Sequence, residues 1–302
     1  MAEYTLIRGQ FVIRYPDLPR QGPEPDGDTV KFAPAEQSLV WTLPQISGIK
    51  PDINARGISV RLEAIDALET HFENTHQDLT WGKKARDTLL AELGFTNIKF
   101  WNSPPNKIES ADQDSLPGFV LSNGIDANGR LIGFVYKGKS DVPGNDGAKV
   151  SVDNELIDRS INAKLLSDGY VYPAFYGTLP TKLRQHLTTK SQAARNADKG
   201  IWPRATGSTE RPAEVYDTDS LMTSIIWPKL FRRLIVFIKE TGPGLDGFEE
   251  WLQEDGVNRD DKVLRLDTNR NVRFHDILTI KGDTIALDIQ PEMIVIEPDP
   301  VN

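Results

Sequence analysis

The sequence contains no cysteine and only four histidines among its 302 residues. The lack of cysteine excludes disulfide bonds and thiolate-bound metals. No apolar run approaches the roughly 20 residues that a membrane-spanning helix needs. The first residues also lack a basic start followed by an apolar core, so no secretory signal is expected. We therefore expect a cytoplasmic protein with no membrane partner.

Charge is unevenly distributed along the chain. The formal net charge is −9, and residues 206–302 carry 19 acidic against 11 basic residues. Over residues 1–205 the remaining 25 acidic and 24 basic residues nearly cancel. A net negative surface argues against non-specific polyanion binding, which depends on Lys and Arg. A locally basic groove in the first two thirds of the chain remains open.

Hydrophobic periodicity over residues 1–204 alternates between strand and helix patterns. A helix is predicted to end at Gly94, and the Asn128-Gly129 pair indicates a tight hairpin turn. The predicted elements are strands within residues 29–42, 57–66 and 95–101, a hairpin over 119–136, and helices near 154–168 and 181–197. This order fits an OB-fold β-barrel with packed helices.

A boundary is indicated by the stretch PRATGSTERPAEVYDTDS, which is rich in Pro, Gly, Ser, Thr and charge. Beyond it, a helix is expected to start at Pro228 and end before Gly242, and four short strand patterns follow. We divide the chain into residues 1–204, the barrel domain, and residues 205–302, a linker with a small α+β domain. Deletion of residues 206–302 is expected to leave a folded domain.

The acidic C-terminal domain carries a small basic cluster of Lys229, Arg232 and Arg233 on its predicted helix. Such clusters are typical of a solvated helix face, and this is the interpretation we adopt. The acidity of the domain makes direct contact with nucleic acid unfavourable. It suits contact with a protein partner, self-association or restraint of a site on the barrel domain.

The stretch PDGDTVKF, Pro25 to Phe32, permits two interpretations. Asp-Gly pairs favour tight turns, and the two aspartates also suit half of a metal site. Asp66 offers a second carboxylate if it meets Asp28 across neighbouring strands. Strand alternation places Arg61 and Asp66 on opposite faces unless the chain bends between them.

These residue types together describe phosphodiester hydrolysis. Carboxylate oxygens, a backbone carbonyl and water suit a hard cation such as Ca²⁺, which polarises a phosphate oxygen and orients a water molecule. Glu69 is placed to accept a proton from that water. Arg61 and Arg130 keep their charge and present a fork of donors that suits a phosphate gaining negative charge.

The sequence resembles the staphylococcal nuclease (thermonuclease-like) family in five segments that follow the family order between about residues 25 and 202. These segments are DGDTVK at Asp26–Lys31, RLEAIDALET at Arg61–Thr70, DANGR at Asp126–Arg130, SINAKLLSDG at Ser160–Gly169 and QHLTTKSQAARNADKGIW at Gln185–Trp202. The second segment repeats the family spacing of an arginine, an aspartate five residues on and a glutamate three further on.

The resemblance implies an OB barrel with three helices and a Ca²⁺-dependent nuclease that acts on DNA, RNA or both and leaves 3′-phosphates. It implies Asp28 and Asp66 as Ca²⁺ ligands, with the backbone carbonyl of Ala67 as a third and Asp26 as an accessory carboxylate. Glu69 resembles the general base. Arg61 and Arg130 resemble the phosphate-binding pair.

Two departures from the family pattern concern the substrate. Ala127 and Asn128 stand where a lysine and a tyrosine would help to hold nucleotide. Base stacking by Tyr172, Phe175 or Tyr176 is one alternative, and core filling by the same rings is the other. OB barrels also serve as non-catalytic modules that bind nucleic acid or protein, and this is the alternative function.

Overall fold

A computed structural model of the chain describes residues 2–254 and 259–297, so the last residues of the predicted C-terminal domain lie outside the description. The described chain divides into two compact units. Unit 1 contains residues 2–63 and 85–165, and unit 2 contains residues 64–84, 166–254 and 259–297. The predicted boundary between residues 204 and 205 does not coincide with this division.

Regular elements occur along the whole described chain. Up to residue 204 the strands and helices are β1 (Ala2–Val12), β2 (Thr29–Pro34), β3 (Ile58–Leu62), β4 (Ile65–Asp66), α1 (Leu79–Leu93), β5 (Lys99–Phe100), β6 (Ile108–Ser110), β7 (Ser115–Ile125), β8 (Leu131–Lys137), β9 (Lys149–Val152), α2 (Asn154–Asp158), α3 (Ile161–Ser167), β10 (Tyr172–Pro173), β11 (Phe175–Tyr176) and α4 (Thr181–Asn196).

The C-terminal third continues this numbering. Its elements are β12 (Ala213–Glu214), α5 (Thr218–Met222), α6 (Pro228–Thr241), α7 (Phe248–Leu252), β13 (Lys262–Arg265), β14 (Arg270–Arg273), β15 (Leu278–Lys281), β16 (Thr284–Leu287) and β17 (Ile294–Glu297). One of the four strand patterns predicted beyond Gly242, VRFHDILTI, forms two strands, because a 3₁₀ helix at His275–Ile277 separates β14 from β15.

Unit 1 is built on a closed barrel of five strands. Antiparallel pairs join β1 to β2, β2 to β3, β8 to β7 and β7 to β1, and a parallel pair joins β3 to β8. The ring therefore closes. Strand β9 is not part of the ring and pairs antiparallel with residues 2–5 of β1. Side chains such as Phe11, Phe32 and Phe134 are fully buried. The predicted OB-fold barrel is confirmed.

The longest strand that the sequence analysis did not predict is β1. It pairs with β2 from Gly9 to Val12 and with β7 from Thr5 to Val12. Tyr4, Leu6, Ile7 and Phe11 are buried, so both faces of the strand contact protein. A strand buried on both faces lacks clean polar alternation, and its enrichment in β-branched and aromatic residues is the remaining signal.

The chain bends between Arg61 and Asp66. Strand β3 ends at Leu62 and β4 begins at Ile65, and between them Ala64 has φ +70°. A positive φ at a residue other than glycine is uncommon, and here it lies in a turn between the two strands. The alternation rule for a straight strand therefore does not apply across this segment.

Unit 2 is organised around α6, whose buried side chains include Leu230, Phe231, Leu234, Ile235, Phe237 and Ile238. Burial of each such side chain contributes about 1.5–3 kcal/mol to folding. The same core contains Leu68, Tyr172, Ile201 and Trp202. Residues on both sides of the predicted 204/205 boundary thus share one hydrophobic core.

The segment that its composition marks as a linker is hydrogen-bonded within unit 2. Thr206 donates its backbone N–H to Ile225 O at 2.9 Å, and Ala213 pairs with Ile285 across β12 and β16. The Arg211 guanidinium donates to the carbonyl oxygens of Trp202 at 2.8 Å and Pro203 at 2.6 Å.

Within the described residues, no helix is both long and apolar enough to cross a bilayer.

Candidate active site

Asp28 and Arg61 form a buried ion pair in unit 1. The register of β2 and β3 places Thr29 opposite Arg61, so Asp28 lies beside the end of β3. Nη1 of Arg61 donates to Oδ2 of Asp28, and the side chains are 16% and 8% exposed. Thr29 Oγ1 donates to the other carboxylate oxygen at 2.9 Å. The negative charge of Asp28 is therefore balanced within its own unit.

Asp26 lies in the turn that precedes β2. Its carboxylate accepts the backbone N–H of Gly27 at 2.8 Å, and its own N–H donates to Thr29 O at 2.9 Å. These hydrogen bonds are the ones expected of a tight turn, which is one of the two interpretations of the stretch PDGDTVKF. The turn also presents Asp28 to β3, so the two interpretations are compatible.

Arg130 lies at the end of the β7–β8 turn and is held by Asp126. Its backbone N–H and its Nε each donate to the Asp126 carboxylate at 2.8 Å. Gly129 has φ +74°, and a Cβ there would lie 2.8 Å from the backbone N of Asp52, so the turn requires glycine. Asp126, which positions the guanidinium, was not assigned this role from the sequence.

Asp66 and Glu69 lie at the start of unit 2. Asp66 is 1% exposed, on β4, where it pairs with Tyr172 of β10. The backbone N–H of Glu69 donates to Gln77 Oε1 at 3.2 Å, and Gln77 Nε2 donates to Ile226 O at 2.9 Å. The fully buried Gln77 thus fixes the loop that carries Glu69. No feature of the sequence pattern distinguishes Gln77 from a surface glutamine.

Arg232 of α6 binds both of these carboxylates. Its Nη2 donates to Asp66 Oδ2 at 2.9 Å and its Nη1 to Asp66 Oδ1 at 3.3 Å, and Nη1 also donates to Glu69 Oε1. The prediction of a solvated basic face is therefore wrong for Arg232. It is also wrong for its neighbours, because Arg233 and Lys229 each contact Asp261 at 3.0 Å.

Comparison with protein families matches residues 59–204 to the model of the staphylococcal nuclease homologue family. This part of the chain is a staphylococcal nuclease homologue domain. A search of curated proteins finds no match to the chain. The family supports a function related to nucleic acid or to its hydrolysis. Asp26, Asp28, β1 and β2 precede the matched residues.

Oxygen donors are the ligands that a hard cation prefers. The predicted ligands are the carboxylates of Asp28 and Asp66 and the carbonyl of Ala67, a donor chemistry that fits Ca²⁺. Over residues 2–254 and 259–297, no group of three or more His, Cys, Asp or Glu side chains is arranged to hold a metal ion. The predicted set contains the carboxylates of Asp28 and Asp66, the carbonyl of Ala67 and the accessory carboxylate of Asp26, so it also relies on water oxygens.

The loop of the homologue domain around Ala67 is anchored on its apolar side. Ala67 is 2% exposed, and Leu68 is fully buried in the core of unit 2. Packing of Leu68 and the hydrogen bonds of Gln77 restrain this loop.

The three aromatic residues predicted to contact substrate differ in exposure. Tyr172 is 2% exposed and donates its hydroxyl to Ile225 O at 2.9 Å, and Phe175 is fully buried. Tyr176 is 40% exposed. The rings of Tyr172 and Phe175 therefore fill the interior, which is the other alternative that the sequence left open. Tyr176 is the ring of this group that presents a face to solvent.

Proposed function

We propose that this chain is a Ca²⁺-dependent nuclease that hydrolyses phosphodiester bonds of DNA, RNA or both by attack of water. The observation that supports this best is the burial of two motif carboxylates, Asp28 and Asp66, at 6% and 1% exposure. Buried charges are costly and are retained where they are paired or functional. By resemblance to the family, the products carry 3′-phosphates.

Each residue of the set has a role in this proposal. Asp28, Asp66 and the Ala67 carbonyl would hold Ca²⁺, with Asp26 as an accessory carboxylate. When bound, Ca²⁺ supplies charge that polarises the scissile phosphate. Glu69 accepts a proton from water, and Arg61 and Arg130 donate hydrogen bonds to phosphate oxygens. Tyr176 is the proposed contact for a base.

The test is cleavage of plasmid DNA and single-stranded RNA with Ca²⁺ or with a chelator. We expect Ca²⁺-dependent cleavage that falls by about 10²-fold or more in Glu69→Gln and in Arg61→Ala. Glu73→Gln is the matched control for Glu69, because Glu73 is exposed in the same unit and pairs with Lys239. Equal cleavage by all these proteins would assign the activity to a contaminant.

A non-catalytic binding module is the second candidate, and one observation favours it. Arg232 already contacts Asp66 and Glu69, the predicted metal ligand and base. A module of this kind binds DNA or RNA strands in the presence and absence of Ca²⁺ and leaves them intact. Fluorescence anisotropy with labelled oligonucleotides, run beside the cleavage assay, separates the two candidates.

The acidic C-terminal region is the proposed surface for a protein partner or for self-association. Its 19 acidic and 11 basic residues disfavour direct contact with nucleic acid. Sedimentation of the full chain at low and high salt tests self-association. A cytoplasmic location stays part of the proposal, and fractionation of cells that express the tagged full chain tests it.

A further inference from the structure

The side chain of Arg232 makes a three-way contact that the nuclease chemistry proposed above does not require. One guanidinium group contacts both oxygens of Asp66 and one oxygen of Glu69. Paired N–H donors that match a carboxylate form the strongest type of charged hydrogen bond in proteins. A positive charge therefore already occupies the carboxylate that the proposal assigns to Ca²⁺.

The three side chains differ in their access to water. The Asp66 side chain is 2% exposed and that of Glu69 is 16% exposed, whereas that of Arg232 is 27% exposed. The carboxylates are held by β4 and by the Gln77 loop. The arginine has a long side chain with a route to solvent, so it is the partner that can leave.

Arg232 is also placed independently of these carboxylates. Helix α6 buries its apolar side in the core of unit 2, and it starts at Pro228, a residue that favours the first helical turn. The adjacent Arg233 is bound elsewhere, to Asp261 at 3.0 Å. The helix therefore presents Arg232 to Asp66 by its own packing.

A guanidinium group and a divalent cation compete for the same buried carboxylate. When a site is open only part of the time, the apparent dissociation constant equals the intrinsic one divided by the open fraction, so it rises as that fraction falls. A nearby positive charge also repels a second cation, and it does so more strongly where water is scarce.

We propose that Arg232 is an internal counter-cation that sets the Ca²⁺ affinity of this domain. Arg232 must leave Asp66 before Asp66 can ligate Ca²⁺. Helix α6, which carries Arg232, therefore keeps the affinity of the proposed site for Ca²⁺ low. The inference rests on the proposed function, because it assigns Asp66 to Ca²⁺. It adds a determinant of affinity that lies outside the residues matched to the family.

The experiment is titration of the metal-free full chain with Ca²⁺ by isothermal calorimetry. We expect Arg232→Gln to bind Ca²⁺ with a Kd at least about tenfold below that of the wild type. Arg233→Gln is the matched control on the same helix and should leave the Kd unchanged. Arg232→Lys keeps the charge but loses the paired donors, so we expect a smaller gain. This variant decides the question if Arg232→Gln does not fold.

The melting temperature is a second readout, and like the calorimetric titration it does not depend on cleavage. Without Ca²⁺, Arg232→Gln should melt at a lower temperature than the wild type, because Asp66 loses a buried counter-charge. Ca²⁺ should raise its melting temperature more than that of the wild type.

An equal or higher Kd in Arg232→Gln, with Ca²⁺-dependent cleavage intact, overturns this inference alone. Absence of Ca²⁺ binding by every variant overturns the calcium dependence of the proposed function, and the inference with it. Ca²⁺ binding by Arg232→Gln but not by the wild type supports the inference.

Discussion

Two buried motif aspartates are neutralised in different ways. Asp28 of unit 1 pairs with Arg61, a member of the same sequence pattern, across two adjacent barrel strands. Asp66 of unit 2 pairs with Arg232, which is 166 residues away in the sequence and outside the matched family segment. The comparison teaches that the matched family segment contains one member of each ion pair, Arg61 and Asp66, while their partners Asp28 and Arg232 lie outside it.

Removal of residues 205–302 is the most severe test of this comparison. It deletes Arg232 and most of the core that contains Leu68, Tyr172 and Trp202. We expect loss of the cooperative thermal transition, measured by circular dichroism, and aggregation in size-exclusion chromatography. This expectation is opposite to the one drawn from the linker-like composition. A folded monomeric fragment of residues 1–204 would restore the predicted domain boundary.

Glu63 extends the comparison to a buried carboxyl group with a different partner. Burial raises the pKa of Glu63 from the ordinary value of 4.5 to about 8, against the effect of hydrogen bonds from neighbours such as Asn123. The folded chain therefore keeps a proton that the unfolded chain releases above pH 4.5. Stability is therefore expected to fall as the pH rises from about 4.5 to about 8.

Chemical denaturation at several pH values measures this slope. Glu63→Gln should remove it, because an amide does not titrate. Glu109→Gln is the control, because Glu109 is an exposed glutamate of the same unit. A slope that persists in Glu63→Gln would assign the proton to another group.

The two arginines should have opposite effects on cleavage. Arg61→Ala removes a proposed phosphate donor, and we expect cleavage to fall by about 10²-fold at every Ca²⁺ concentration. Arg232→Ala should increase cleavage at limiting Ca²⁺ and change it little at saturation. Initial rates over a Ca²⁺ series measure both, and Arg56→Ala, which removes a pair with Asp17 at the surface, is the control. A similar loss of cleavage in both variants at every Ca²⁺ concentration would indicate that the two arginines have the same role.

Tyr172→Phe is the smallest change and tests the interior assignment of this ring. The variant loses the hydrogen bond to Ile225 O, which lies in the core of unit 2. We expect the free energy of unfolding to fall by about 1 kcal/mol, with no change in the KM for an oligonucleotide. Tyr176→Ala is the counterpart, and it should raise KM without a loss of stability. A KM for Tyr172→Phe above that of the wild type would indicate that Tyr172 contacts the substrate.

The sequence predicted the barrel and the motif carboxylates because both depend on local pattern. The Asn128-Gly129 turn and the Arg-Asp-Glu spacing are visible within a few residues. The role of Arg232 was not predictable in this way. It depends on which side of α6 packs against the core, and neighbouring arginines look alike in sequence. Gln77 was missed for the same reason, since its burial comes from tertiary packing.

Two further misses come from backbone geometry. Ala64 adopts a conformation that alanine rarely takes, so nothing in the sequence marked the bend after β3. Strand β1 is buried on both faces and lacks the alternation used to find strands.

Closure of the barrel by β1 and β2 limits how the family segment can be used in isolation. A fragment that starts at residue 59 retains β3, β8 and β7 but leaves β3 and β7 as open edges with unpaired backbone groups. Open edges of this kind template pairing between molecules. The smallest fragment of this chain with a closed barrel therefore has to include its first strand, long before the matched family segment begins.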